Sequence, residues 1–283
     1  MVPGSVGSTL VPAQLPVVDV GVIGGSGFYS LLDDAETVAV DTPFGPPSGD
    51  LTVGELGGKR VAFLPRHGTD HRFPPHAVPY RANLWALKQV GVKQVVTGSA
   101  VGSLKAEYGP GTLVVPDQIV DRTWGRPWTY VEDDKGVAHA PFADPYDAAG
   151  RAAARRGAEK AGIEIVDGGT LVVINGPRFS SRAESADYQR AGYTIIGMTG
   201  MPEAVLAREL ALPFTALCLV TDHDAGVGEG EGVTHHDVLE QFAANLPKLR
   251  ELLAATLAEL PDDVSGSEAA RVYDAGPPPF DLP

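Results

Sequence analysis

An α/β layered fold is what this sequence predicts, and three observations predict it. Short Val-rich runs alternate with segments of helical spacing, the pattern of strands and helices stacked in layers. The composition, 43% hydrophobic and 20% charged over 283 residues, is that of a globular chain able to bury a sizeable core. No break in composition divides the chain, so one domain is expected over residues 16–261.

In chain order, residues 1–15 carry Gly, Pro and Ser without an apolar period and are expected to form a disordered tail. The runs 17–23, 60–64, 94–97, 112–119, 170–174, 194–197 and 214–220 read as strands. Pro79, at a first-turn position, opens a helix with Leu84, Leu87 and Val90 on one side, and Gly91 supplies the left-handed residue that ends it. The long stretch 121–147 holds Trp124, Trp128, Tyr130, Phe142 and Tyr146 with little periodicity; a loop of that length is usually functional or packed on a neighbour. Ser181-Arg182-Ala183-Glu184 has capping-box spacing, which is a structural role for Glu184. A last helix is predicted from near Thr234, with Phe242, Leu246, Leu249, Leu253 and Leu257 at helical intervals, for core or a subunit contact. Residues 262–283 are acidic, run into Gly276-Pro277-Pro278-Pro279 and are expected to form a second disordered tail.

The formal charge of −14 argues against nucleic acid or an anionic membrane as partner, so any bound anion must sit in a local basic pocket. No Lys or Arg precedes Lys59 and no apolar run approaches a bilayer span, so a cytoplasmic protein is expected. Cys218, the only cysteine, lies in an apolar run and reads as buried packing, with no disulfide and no cysteine metal cluster. The histidines show no HExxH or comparable ligand spacing, and a GxSxG elbow is absent, so neither a metal site nor a serine hydrolase is expected.

The chemistry gathers at strand ends. After the last apolar run comes Val220-Thr221-Asp222-His223-Asp224-Ala225-Gly226, and in an extended chain Asp222 and Asp224 point to one side. Burial raises the pKa of such carboxylates and favours a retained or shared proton, which is what a heterocyclic leaving group requires. Turn-forming acids in a solvated loop are the other reading. Ile23-Gly24-Gly25-Ser26-Gly27 is a Gly-rich turn whose amides and hydroxyl can surround an anion. Ser30 stands where a dinucleotide fingerprint needs its third glycine, which leaves a Rossmann site weakly supported. Leu64-Pro65-Arg66-His67-Gly68 offers a guanidinium fork suited to phosphate, with a surface Arg paired to an acid as the alternative. Gly98-Ser99-Ala100-Val101-Gly102-Ser103 supplies small residues and free amides, and three such exits favour one site at one sheet edge.

These segments, with Tyr80-Arg81-Ala82-Asn83-Leu84-Trp85-Ala86-Leu87-Lys88, Gly176-Pro177-Arg178-Phe179-Ser180-Ser181-Arg182-Ala183-Glu184-Ser185, Met198-Thr199 and Pro202-Glu203, together resemble the trimeric methylthioadenosine phosphorylases over residues 17–260. That family belongs with the purine nucleoside phosphorylases. The resemblance implies a single domain with a central mixed β-sheet flanked by helices, a homotrimer, no cofactor, and inorganic phosphate as co-substrate. It implies phosphorolysis of 5'-methylthioadenosine, or another 5'-modified adenosine, to adenine and the ribose 1-phosphate derivative.

Carried over by position, the resemblance assigns phosphate to Ser26, Arg66, His67, Ser99, Ala100 and Thr199. It sets the ribose against Met198 and the purine against Phe179 and Gly102, with Asp222 at N7 and Asp224 at the 6-amino group. His139 matches a residue that reaches into the neighbouring subunit's site. Val238 and Leu239 would face the 5'-substituent, but His235 stands where the family has a small branched residue and where relatives binding a 5'-hydroxyl have histidine. A broader adenosine or purine nucleoside phosphorylase accepting a 5'-hydroxyl or 5'-halo group is therefore the alternative. From another class, a non-catalytic nucleotide-binding module would keep the Gly turn without needing the paired acids.

Overall fold

The computed structural model describes residues 17–25, 32–132, 134, 136–227 and 235–283; the expected N-terminal tail, residues 1–15, lies outside the described residues. The strands are β1 (Val20–Gly24), β2 (Asp33–Val38), β3 (Leu51–Leu56), β4 (Lys59–Pro65), β5 (Gln94–Ser103), β6 (Leu113–Val115), β7 (Gln118–Arg122), β8 (Val166–Asp167), β9 (Thr170–Ile174), β10 (Ile195–Gly197) and β11 (Phe214–His223). The helices are α1 (Tyr80–Gln89), α2 (Ala148–Ala161), α3 (Arg182–Arg190), α4 (Gly200–Glu209) and α5 (His235–Glu259).

All strands join one mixed sheet in the order β2-β3-β4-β1-β5-β10-β9-β7, with β11 bonded to β5 and β6, and β8 to β6. Its centre is parallel, β4-β1-β5-β11, and those strands are continuous apolar runs because both faces are covered. On one face α1 and α4 supply Leu84, Leu87, Leu206 and Ala207 to the core; on the other α2 and α5 supply Ala153, Ala154, Leu249 and Leu253. Each fully buried leucine contributes roughly 1.5–3 kcal/mol of transfer free energy, which is why propensity need not carry these helices alone.

Register builds the site. Gly24 stands opposite Pro65, and Ile23 opposite both Leu64 and Thr97, so Gly25 and Arg66 leave the sheet beside Gly98, where β5 continues. Strand β5 outruns β1, and only its last residues, Gly102 and Ser103, pair with β10. On that side residues 98–101 therefore have no strand partner among the described residues, and those of their backbone groups that point away from β11 face a split in the sheet.

The local signals read from sequence are realised at both helices that carry them. Gly91 takes φ +86° beyond the end of α1. At α3 the Ser181 Oγ accepts from the Glu184 N–H at 3.2 Å while the Ser181 N–H donates to Glu184 Oε2 at 2.7 Å. The single strand expected over 112–119 is instead two, β6 and β7, broken at Pro116-Asp117; Pro116 has no N–H for a ladder, and Asp117 turns to bond Gly169.

The C-terminal segment corrects an expectation. Residues 262–283 are not a free tail: Asp262 pairs with Lys59, Glu268 with Arg208 at 3.2 Å, and the Tyr273 hydroxyl donates to the Glu209 carbonyl at 2.8 Å. Phe280 packs its ring 5.7 Å from Tyr130 and 6.5 Å from Trp85. A few spaced anchors suffice to order a Pro-rich segment whose composition alone suggests disorder. The loop 121–147 is likewise pinned by buried Tyr130, Tyr146 and Arg126, while Trp124 and Trp128 remain 75% and 59% exposed. Among the described residues no helix is long and apolar enough to cross a membrane, and no metal-ligating cluster of His, Cys, Asp and Glu occurs.

Candidate active site

The split in the sheet opens into a cleft of about 590 Å³. It is lined by Arg66, His67, Ser99, Ala100, Gly102, Phe179, Met198, Thr199, Asp222, Asp224, Val238 and Leu239, all singled out from sequence. Arg66 and Asp222, on which the mechanism depends, thus share one space. Ser26 and the side chain of His235 lie outside the described residues, although His235 is the first residue of α5. His139 is exposed and does not line this chain's own cleft. A hollow of about 660 Å³ near Glu107, Asn245 and Lys248 holds none of these residues.

At the β4 exit, Arg66 is 2% exposed and its fork is turned to Glu203, not to the cleft: Nε donates to Oε1 at 2.6 Å and Nη2 to Oε2 at 3.0 Å. Nη2 also bonds Thr97 Oγ1, and Nη1 donates to the Gly98 carbonyl at 3.0 Å. Of the five guanidinium N–H groups this leaves one, on Nη1, for a ligand. Burial lowers the Arg66 pKa, and the Glu203 carboxylate more than offsets that, holding it above its ordinary value. Glu203 itself is 1% exposed, a partner whose role the Pro202-Glu203 pair did not disclose in sequence.

His67 donates from Nδ1 to the Phe73 carbonyl at 2.8 Å, since a carbonyl can only accept, and this leaves Nε2 for the cleft. Burial, then the Arg66 charge, pushes its pKa down to about 4, so the ring is neutral at pH 7. The anion end of the cleft is consequently a neutral ion pair, a neutral imidazole and those amides of residues 98–101 that point away from β11. Thr199 adds a hydroxyl: it is 8% exposed, caps α4 by position, and spends no side-chain bond on capping.

At the far end, β11 bulges between Val220 and Asp222, so Thr221 is the extra residue and Asp222 comes to face Gly102. A bulge re-aims side chains, and here both Thr221 and Asp222 reach the cleft. Glycine at 102 eases this approach: a Cβ there would crowd Asp222 Oδ2 and Ile196 Cγ2, each at 3.0 Å. The Thr221 hydroxyl lies 2.7 Å from Asp222 Oδ1. Burial is the largest influence on Asp222 and Asp224 adds to it against the Thr221 bond, and together they push the Asp222 pKa up to about 6. Asp224 is 6% exposed; its N–H donates to the Ser103 carbonyl at 2.9 Å, and its Oδ2 has no protein partner. A buried acceptor left open in a cleft calls for a donor from a ligand.

The arrangement puts hydrogen-bond donors for an anion at one end and an acid of raised pKa at the other, with Met198 and the 37%-exposed Phe179 ring between. Displacement at a carbon between them, with the leaving group protonated as it departs, is the chemistry such a cleft can perform.

The sequence pattern of the phosphorylase superfamily matches residues 19–258. The chain is 57% identical over 250 residues to the purine nucleoside phosphorylase of Streptomyces coelicolor, covering 86% of this chain and 89% of that protein. It is 52% identical over 266 residues to the S-methyl-5'-thioadenosine phosphorylase of Mycobacterium tuberculosis, covering 93% and 97%. The methylthioadenosine phosphorylase of Schistosoma mansoni in complex with adenine superposes with a TM-score of 0.81 at 39% identity, covering 85% and 91%. With fold and sequence in accord over nearly its whole length, the chain belongs to the phosphorylase superfamily.

Proposed function

We propose that the protein phosphorolyses 5'-methylthioadenosine, or another 5'-modified adenosine, to adenine and the corresponding ribose 1-phosphate, 5-methylthioribose 1-phosphate for the methylthio substrate. The observation that carries this reading is Asp222, an acid whose pKa is pushed up to about 6, facing the anion end of the same cleft. Phosphate sits among Ser26, Arg66, His67, Ser99, Ala100 and Thr199, the ribose against Met198, and the purine between Phe179 and Gly102. A phosphate oxygen bonds to C1' as the C1'–N9 pair leaves with the purine, and Asp222 donates to N7 as negative charge develops there. Asp224 offers its open oxygen to the 6-amino group, a contact that a 6-oxo purine would turn into repulsion between acceptors.

A second reading concerns only the 5' end. The Streptomyces coelicolor relative is named a purine nucleoside phosphorylase, and His235 begins the helix that carries Val238 and Leu239 into the cleft. A 5'-hydroxyl or 5'-halo group is the alternative substituent there. We place the enzyme in the cytoplasm as a homotrimer whose His139 serves the adjoining subunit, a reading supported by the resemblance and by its exposure on this chain.

Adenine release from 5'-methylthioadenosine, followed chromatographically with and without phosphate, tests the reaction. Release that requires phosphate is expected; equal release in phosphate-free buffer would mean hydrolysis and sink the proposal. The same assay run on adenosine, 5'-halo-adenosine and inosine settles the 5' and 6 positions, with 6-amino substrates expected to be preferred over inosine.

A further inference from the structure

Four backbone carbonyls around the cleft converge on one point. The carbonyls of Ile174 and Asn175 stand at the end of β9, that of Met198 just past β10, and that of Met201 at a residue of α4 whose backbone is extended (φ −118°, ψ 134°). Buried acceptors of this kind must find donors. One side chain supplies them all. Arg126, 5% exposed in the loop after β7, donates from Nη2 to the carbonyls of Asn175 at 2.8 Å and Met198 at 2.9 Å, with Ile174 at 3.5 Å, and from Nη1 to Met201 at 2.5 Å. Nη1 also donates to the Tyr80 hydroxyl at 3.1 Å, which in turn donates to the Pro75 carbonyl at 2.6 Å.

We infer that Arg126 is the positioning residue of the cleft: one guanidinium holds the Met198–Thr199 wall against the Asn175–Phe179 wall and, through Tyr80, against Pro75. All its direct acceptors are neutral, so its role is not that of a salt bridge. A planar fork with fixed directions matches this set of carbonyls, and an ammonium on a flexible stem does not. The inference deepens the reading proposed above, in which those walls bound the ribose and purine.

Adenine affinity measured by calorimetry, well below the melting temperature of each variant, is the test, alongside phosphorolysis by the wild type. Arg126→Lys keeps charge and much of the volume but not the fork. It is expected to weaken adenine binding on the order of ten- to a hundredfold, the scale on which small misplacements of a site act. Tyr80→Phe removes the Nη1 bond to the Tyr80 hydroxyl, and Asn175→Ala removes the bond from Arg126 Nε to Asn175 Oδ1 at 3.3 Å; each is expected to weaken binding less, which keeps the inference testable if Arg126→Lys does not fold. A purely structural role would lower the melting temperature while the folded fraction bound adenine as the wild type does, and that result overturns the inference. If the wild type bound adenine but showed no phosphate-dependent turnover, the proposed reaction would fail while the role of Arg126 was still decided by these affinities.

Discussion

Asp222 shows how much one side chain owes to its neighbours. Its carboxyl is half-buried, backed by Gly102 and bonded to Thr221, and its pKa of about 6 follows mainly from desolvation. An amide cannot give up a proton, so Asp222→Asn is expected to cost about 10²- to 10⁴-fold in turnover of 6-amino nucleosides, the usual contribution of a general acid. Stability moves the other way. The folded pKa lies above the ordinary carboxylate value of 3.8, so the folded state binds the proton more tightly than the unfolded chain, and stability falls as pH rises from about 4 through about 6. Above that the penalty is constant. Asp222→Asn removes it, so thermal unfolding should show the variant gaining over the wild type at pH 7.5, by on the order of 2 kcal/mol, and gaining little at pH 4. Equal gains at both pH values would mean that Asp222 carries no buried charge.

At the scale of elements, the site depends on β4 and α4 being locked together by Arg66 and Glu203, both almost fully buried. Removing one member of such a pair leaves the other charge without compensation, typically a loss of 3–5 kcal/mol. Glu203→Gln should therefore lower the urea midpoint by a free energy of about that size, and the double change Arg66→Met with Glu203→Leu should recover much of the stability while abolishing phosphate use. The pair also marks the limit of what the sequence made legible. Strands of the parallel centre, the α1 stop at Gly91 and the capping box of α3 are local signals, and they appear where the sequence predicts them, except that β5 continues past Thr97 to Ser103 through the Gly-rich segment read as its exit. The edge strand β2 and its neighbour β3 are not evident in the sequence: β2 is rich in acids, and an edge strand need not be apolar. Nor was the Ala-rich α2 recognised, whose buried face is small residues packed on α5. Arg66 was expected to turn its fork to phosphate; its partner stands 137 residues away, and only the fold reveals that the fork is already occupied.

The whole molecule leaves an apolar surface uncovered in the same region where its C-terminal segment is anchored. Trp124, Trp128 and Val137 of the 121–147 loop are 75%, 59% and 76% exposed, and Leu282 is 40% exposed. Scattered exposed apolar residues are ordinary, but large aromatics on a loop pinned from beneath by Tyr130 and Arg126 form a presented surface. If a second copy covers it, His139 on the same loop is carried toward that copy's cleft, and each complete site draws on two chains. Complementation follows from this. His139→Ala and Asp222→Asn homo-oligomers should each be impaired, whereas co-expressed chains should form mixed assemblies with some sites that take Asp222 from one variant and His139 from the other. Phosphorolysis by the mixture should exceed the mean of the two separate variants, and light scattering should give three chain masses. Trp128→Glu should lower that mass and the activity together. A monomeric wild type with full turnover, or a mixture no better than its parts, would show that the cleft is complete within one chain.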